Sequence, residues 1–138
     1  MIRPAETRDA ELVAALAGQL GYPSDAESMR ARLAALGESR QVFVAERDGV
    51  VRAWIEVAVV EALVSDAYAE IHGLIVDETE RGSGLGAQLV AAAEEWAAER
   101  RLARIRVRSN VARERTRRFY EKQGYVVTKT SNVFDKVL

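Results

Sequence analysis

The chain has 138 residues, 49% of them hydrophobic and 30% charged, with a formal net charge of −1. That composition is ordinary for a globular protein with one core, so a single domain over residues 1–138 is expected, and no apolar stretch approaches the roughly 20 residues that span a bilayer. The chain has no cysteine and one histidine, His72, which excludes disulfides and thiolate chemistry and argues against a zinc or iron centre.

Ile2 to Pro4 begins a short strand. Residues 9–20 place Leu12, Val13, Leu16 and Leu20 on one helical face, with Gly21 as a stop. Ser24 and Glu27 have capping-box spacing, and Met29, Leu33 and Leu36 form the apolar stripe of a second helix. Residues 41–46 and 50–60 read as strands around an Asp48-Gly49 turn. Residues 61–67 read as a loop. Residues 68–76 read as a strand with Glu70, His72 and Leu74 on one face and Ile71, Gly73 and Ile75 on the other. Leu85, Leu89, Ala93 and Trp96 repeat at helical spacing, which predicts a helix over about 83–99. Residues 103–109 alternate Ile105 and Val107 with arginines, as a half-exposed strand does. A helix through Thr116, Phe119 and Tyr120 stops at Gly124, and residues 125–128 and 133–137 read as a closing hairpin. The order predicts an α/β (α+β) fold. It has a mixed central sheet of about six to seven strands, about four flanking helices and a central strand–helix–strand crossover.

The run Arg81-Gly82-Ser83-Gly84-Leu85-Gly86-Ala87 joins a strand to a helix. The first turn of a helix leaves N–H groups unpaired and carries partial positive charge, and glycines let anionic oxygens approach. Such a corner suits a phosphate. A P-loop would end in Gly-Lys-Ser/Thr, which is missing. A dinucleotide fingerprint on Gly82, Gly84 and Ala87 requires an acid about 20 residues on, where Arg106-Val107-Arg108-Ser109-Asn110 stands.

Arg81, Gly84 and Gly86, followed by Ser109-Asn110 and by Arg118-Phe119-Tyr120-Glu121-Lys122-Gln123-Gly124-Tyr125, carry a resemblance. With the opening Ile2-Arg3-Pro4-Ala5, the chain resembles the GNAT superfamily of acetyl-CoA-dependent acyltransferases over essentially its whole length. The resemblance implies an N-acetyltransferase that moves acetyl from acetyl-CoA to a primary amine of a small molecule or peptide in a ternary complex. It places the pantetheine arm beside Leu74, Ile75 and Val76, and the pyrophosphate on the amides of Arg81 to Ala87. It makes Tyr120 the acid that protonates the departing thiolate. It makes Glu70, or His72, the base for the ammonium, with Glu70 preferred. Asn110 is a candidate contact to pantetheine or acceptor, or else a helix cap. Arg113 or Arg117 is a candidate for the 3′-phosphate of the cofactor. The acceptor is expected against Tyr22, the first two helices and residues 61–68.

Residues 1–80 hold 15 acids and 7 arginines, a balance of −8, while residues 81–138 hold 6 acids and 13 Arg/Lys, a balance of +7. The excess acid fits a cationic acceptor and the excess base an anionic cofactor, although the halves would equally neutralise each other. Nine arginines lie between Arg100 and Arg118 without interleaved aromatics, which argues against a nucleic-acid surface. Arg3, Pro4 and Glu6 do not suit a secretory leader, so a cytoplasmic, non-membrane protein is expected. The family resemblance also admits a homodimer that pairs or exchanges its last strands. Two other readings stay open: a non-catalytic acyl-CoA-binding module, and a dinucleotide-binding oxidoreductase.

Overall fold

The computed structural model describes residues 1–138. The chain divides into two compact units, Met1–Val107 and Arg108–Leu138. The first contains a five-stranded sheet in the order β1 (Ile2–Pro4), β2 (Arg40–Arg47), β3 (Val50–Ala62), β4 (Ser65–Val76) and β5 (Ile105–Val107). Neighbours are antiparallel except β4 and β5, which run parallel. Helices α1 (Ala10–Gln19) and α2 (Ala26–Ala34) precede β2, and α3 (Leu85–Glu99) makes the crossover from β4 to β5. The mixed sheet and crossover are those expected, with five strands instead of six or seven.

On one sheet face, Val42, Val44, Val51 and Ile75 bury against Ala10, Val13, Ala14, Leu16 and Ala17 of α1 and Met29 and Leu33 of α2. The apolar face of α1 is narrower than the periodicity predicts, because Leu12 and Leu20 are exposed. Asp25, not Ser24, caps α2: its carboxylate accepts the Ser28 N–H at 2.7 Å. Before α1, the Asp9 carboxylate takes both terminal nitrogens of Arg3, at 2.8 and 2.9 Å, and the Glu6 N–H at 2.8 Å. A bidentate pair of this kind fixes β1 to the entry of the helix.

The other face carries Ala53, Ile55 and Val57, all fully buried. Helix α3 packs on β2, β3 and β4 through Leu85, Leu89, Val90, Ala93, Trp96 and Ala97. A fully buried Leu or Ile of this kind contributes about 1.5–3 kcal/mol, which is what holds the crossover helix on the sheet.

Turns explain where the strands begin and end. Asp48 and Gly49 both have positive φ, 54° and 77°, the pairing that a two-residue hairpin with right-handed twist requires. Residues 61–67, expected as a loop, instead extend β3 and β4 into a long hairpin in which Ala62 opposes Ser65 across Leu63-Val64. Both tip residues are exposed, and neither is a turn-former, so no local signal announced the turn.

Strand β4 holds one residue more than β3 opposite it. Glu56 opposes Gly73 and Val57 opposes Ile71, so His72 is the extra residue of a β-bulge. Directly opposed residues share a sheet face. Leu74, opposite Ile55, therefore lies on the α3 face, whereas simple alternation put it with Glu70 and His72.

In the second unit, α4 (Glu114–Lys122) follows a turn and ends before Gly124, whose φ is 94°. The closing hairpin expected over residues 125–137 does not form: residues 125–138 hold neither helix nor strand. Val126, Val133, Phe134 and Val137 are exposed. An isolated two-stranded hairpin buries too little to stand alone, and alternation by itself supplies no partner.

Candidate active site

The glycine corner begins with Asp77, whose carboxylate accepts the Thr79 N–H at 2.9 Å and the Thr79 hydroxyl at 2.8 Å. A single 3₁₀ turn, Glu78–Glu80, follows, anchored by Arg47 on Glu80 at 2.7 Å. Gly82 and Gly84 have φ of 81° and 88°, a region that an L side chain enters only with strain. Gly84 is the N-cap of α3, so the helix starts at Leu85, two residues later than its periodicity predicts. The Ser83 N–H bonds the Glu80 carbonyl at 3.1 Å and the Leu85 N–H reaches Ser83 Oγ at 3.4 Å. No backbone carbonyl accepts the N–H of Gly82 or Gly84.

Arg81, Gly82, Ser83 and Gly84 are exposed, Leu85 and Gly86 are buried and Ala87 is half-buried. A Cβ added at Gly82 or Gly84 meets no protein atom within 4 Å. The glycines therefore do not serve close packing within the protein. They leave open space at an exposed corner whose Gly82 and Gly84 N–H groups no backbone carbonyl accepts, and such a corner suits an anion.

Strand β4 supplies a second feature. On one side Leu74, Ile75 and Val76 pair with Ile55, Trp54 and Ala53. On the other, β5 pairs only with Ala69, Glu70 and Ile71. Beyond the bulge the second edge of β4 has no strand partner in the sheet, so an extended ligand can hydrogen-bond there as a strand does.

The bulge also gathers polar groups. His72 Nε2 lies 3.3 Å from Glu70 Oε1 and His72 Nδ1 lies 3.8 Å from Glu56 Oε2. The same Glu56 oxygen accepts from Arg40 Nη2 at 2.8 Å and Nε at 3.2 Å. The Glu70 and Glu56 side chains are 14% and 20% exposed and that of His72 39%. The imidazole thus stands at the surface between two largely covered carboxylates. Glu56 was not singled out from the sequence, although a lone acid between Ile55 and Val57 in an apolar strand was a usable signal.

In the second unit, Tyr120 is 7% exposed. Its ring meets Phe119 and Tyr125 edge-on, with centroids 5.0 and 5.5 Å away. Burial raises its hydroxyl to a pKa of about 12, so the phenol stays protonated across the neutral range. The Asn110 side chain accepts the Ala112 N–H at 2.9 Å and its carbonyl accepts the Arg113 N–H, which makes a turn ahead of α4 and not its cap, since the N-cap is Arg113. Arg117 pairs with Glu121 one turn on, at 3.2 Å, and Arg113 is the exposed residue before α4.

Solved structures share this fold. An acetyltransferase described as putative, from Agrobacterium tumefaciens, aligns with a TM-score of 0.87 at 24% identity, over 99% of both chains. An aminoglycoside antibiotic 6′-N-acetyltransferase from Acinetobacter haemolyticus aligns with a TM-score of 0.85 at 19% identity, over 100% of this chain and 99% of that one. An aminoglycoside N-acetyltransferase in complex with CoA gives 0.85 at 19%, over 100% of both. No curated protein matches the sequence. The sequence itself matches the acetyltransferase (GNAT) family over residues 9–125, and the chain therefore belongs to that family.

Proposed function

We propose that the protein is an N-acetyltransferase that transfers acetyl from acetyl-CoA to a primary amine by direct attack in a ternary complex. The observation that carries this reading is the open corner at Gly82 and Gly84, with unpaired N–H groups, next to a strand whose far edge is free. Family membership and a structural neighbour that holds CoA support it.

When bound, acetyl-CoA supplies an acetyl group activated as a thioester. At the corner from Arg81 to Ala87 the amides that no protein group takes, those of Gly82 and Gly84 among them, would hold the pyrophosphate, and Leu74, Ile75 and Val76 would align the pantetheine arm, with the Leu74 N–H a candidate donor to the thioester oxygen. Glu70, next to His72, takes the ammonium proton, because an aliphatic amine with a pKa of about 10 is mostly protonated at neutral pH. Tyr120 keeps a proton available for the thiolate that leaves. Arg113 or Arg117 meets the 3′-phosphate of the cofactor. The protein works in the cytoplasm, as one domain over residues 1–138 and without a metal. The acceptor is a small-molecule or peptide amine, as aminoglycosides are for the named neighbours.

Consumption of acetyl-CoA with a panel of primary amines tests this reading. Turnover that Tyr120→Phe reduces supports it. CoA binding without turnover on any amine would leave an acyl-CoA-binding module instead.

A further inference from the structure

Tyr68 opens the apolar part of β4 with a ring that is 7% exposed. The guanidinium of Arg104 lies 4.5 Å from its centroid and that of Arg106 4.9 Å. Both groups rest on the ring and not on a carboxylate. Residues Ala69 and Ile105 are register partners, as are Glu70 and Arg106, and partners in adjacent strands share a face. Arg106 therefore projects from the face that carries Glu70, as Tyr68 does two residues earlier.

One sheet face thus holds two opposite poles. Glu70, His72 and Glu56 make the first, joined through the imidazole at 3.3 and 3.8 Å, with Arg40 already on Glu56 at 2.8 Å, so that Glu70 is its main acid. Arg104 and Arg106 make the second, one strand over, and neighbouring strands lie about 4.8 Å apart. Two like charges beside one ring repel each other, and the aromatic face offsets part of that cost. A contact with the ring takes up none of the N–H donors that a guanidinium offers to a planar anion when it lies flat on the aromatic face.

From this juxtaposition we infer that the acceptor is a dipolar amine. Its ammonium faces Glu70, His72 and Glu56, and an anionic group on the same molecule, most simply a carboxylate, binds Arg104 and Arg106. The inference rests on the acetyltransferase reading and narrows it, because a polycation would bring positive charge against the arginine pole.

Three amines of one chain length separate the possibilities: δ-aminovalerate, pentylamine and cadaverine, which end in a carboxylate, a methyl and a second ammonium. The expected order of kcat/KM is δ-aminovalerate, then pentylamine, then cadaverine. In Arg104→Gln/Arg106→Gln the ratio of the first to the second falls at least about tenfold, the worth of one charge-assisted hydrogen bond. Pentylamine and cadaverine acetylated as well as δ-aminovalerate, or better, would overturn the inference and leave the acetyltransferase reading standing.

A binding measurement covers the case in which these short amines are poor substrates. Titration with δ-aminovalerate should shift the Tyr68 ring resonances saturably, whereas pentylamine should not, and the double variant should lose the response. Unmoved Tyr68 resonances, or equal shifts with pentylamine, would overturn the arginine site whatever the turnover.

Discussion

His72 Nε2 stands 3.3 Å from Glu70 Oε1 because His72 is the extra residue of the β4 bulge. The bulge turns the imidazole towards two carboxylates at once, Glu70 and, through Nδ1 at 3.8 Å, Glu56. It also carries Leu74 to the opposite sheet face, so the backbone changes its facing just where the free edge of the strand begins.

Glu70→Gln should lower kcat by about 100-fold, the lower end of what a positioned general base contributes. The loss should be greatest at the acid end of the pH–rate profile, where the acceptor is most fully protonated. A profile unchanged in shape would remove Glu70 as base. Glu56→Gln tests the neighbouring role: a positioning group should shift kcat more than KM and leave the fold intact by circular dichroism.

Gly84→Val should destabilise the protein by about 1–2 kcal/mol, the cost of a left-handed conformation for a residue with a side chain. It should also abolish detectable CoA binding in calorimetry. Its Cβ meets no protein atom, so steric loss of binding would come from the space that the ligand occupies. Gly73→Ala is the contrast. There the added Cβ lies 3.3 Å from the Trp54 ring, so the effect should fall on stability first.

Tyr120→Phe should lower kcat and leave CoA affinity near that of the wild type. The same residue makes a stability prediction. Burial raises its pKa from 10.0 to about 12, so between these values the folded state holds a proton that the unfolded state has released. Stability is unaffected below pH 10 and falls as pH rises towards about 12, by on the order of 2–3 kcal/mol from this group. Denaturant midpoints should show that alkaline loss in the wild type and a smaller one in the variant.

Asp9 shows the opposite dependence. The hydrogen bonds from Arg3 hold its carboxyl below the usual range, assisted by the Glu6 N–H. Its contribution is complete above the unfolded value and is lost as pH falls through the lower folded one. Asp9→Asn should reduce stability at neutral pH and flatten the acid limb of a stability-against-pH curve.

Local chemistry decided which parts of this structure were legible in the sequence. Gly82 and Gly84 were legible because their positive φ admits few other residues, and α3 because Leu85, Leu89, Ala93 and Trp96 repeat on its buried face. Asp48-Gly49 announced its hairpin for the same local reason. Leu63-Val64 announced nothing, since that turn is imposed by the pairing of β3 with β4. The bulge at His72 is likewise a property of two strands in register, which no single stretch of sequence states. Glu56 joined the site through that register. The last hairpin failed the other way: residues 125–128 and 133–137 have the alternation of strands, yet no strand forms there.

The central claim is that the backbone at Gly82 to Ala87 holds the pyrophosphate of CoA and that the free edge of β4 receives its pantetheine arm. Amide resonances followed during titration of the full chain with CoA test it directly. The largest saturable shifts should fall on Gly82, Gly84, Leu85, Gly86 and Ala87, with a second group at Leu74 to Val76. Saturable binding that leaves these amides unmoved, or no binding at millimolar CoA, would contradict it.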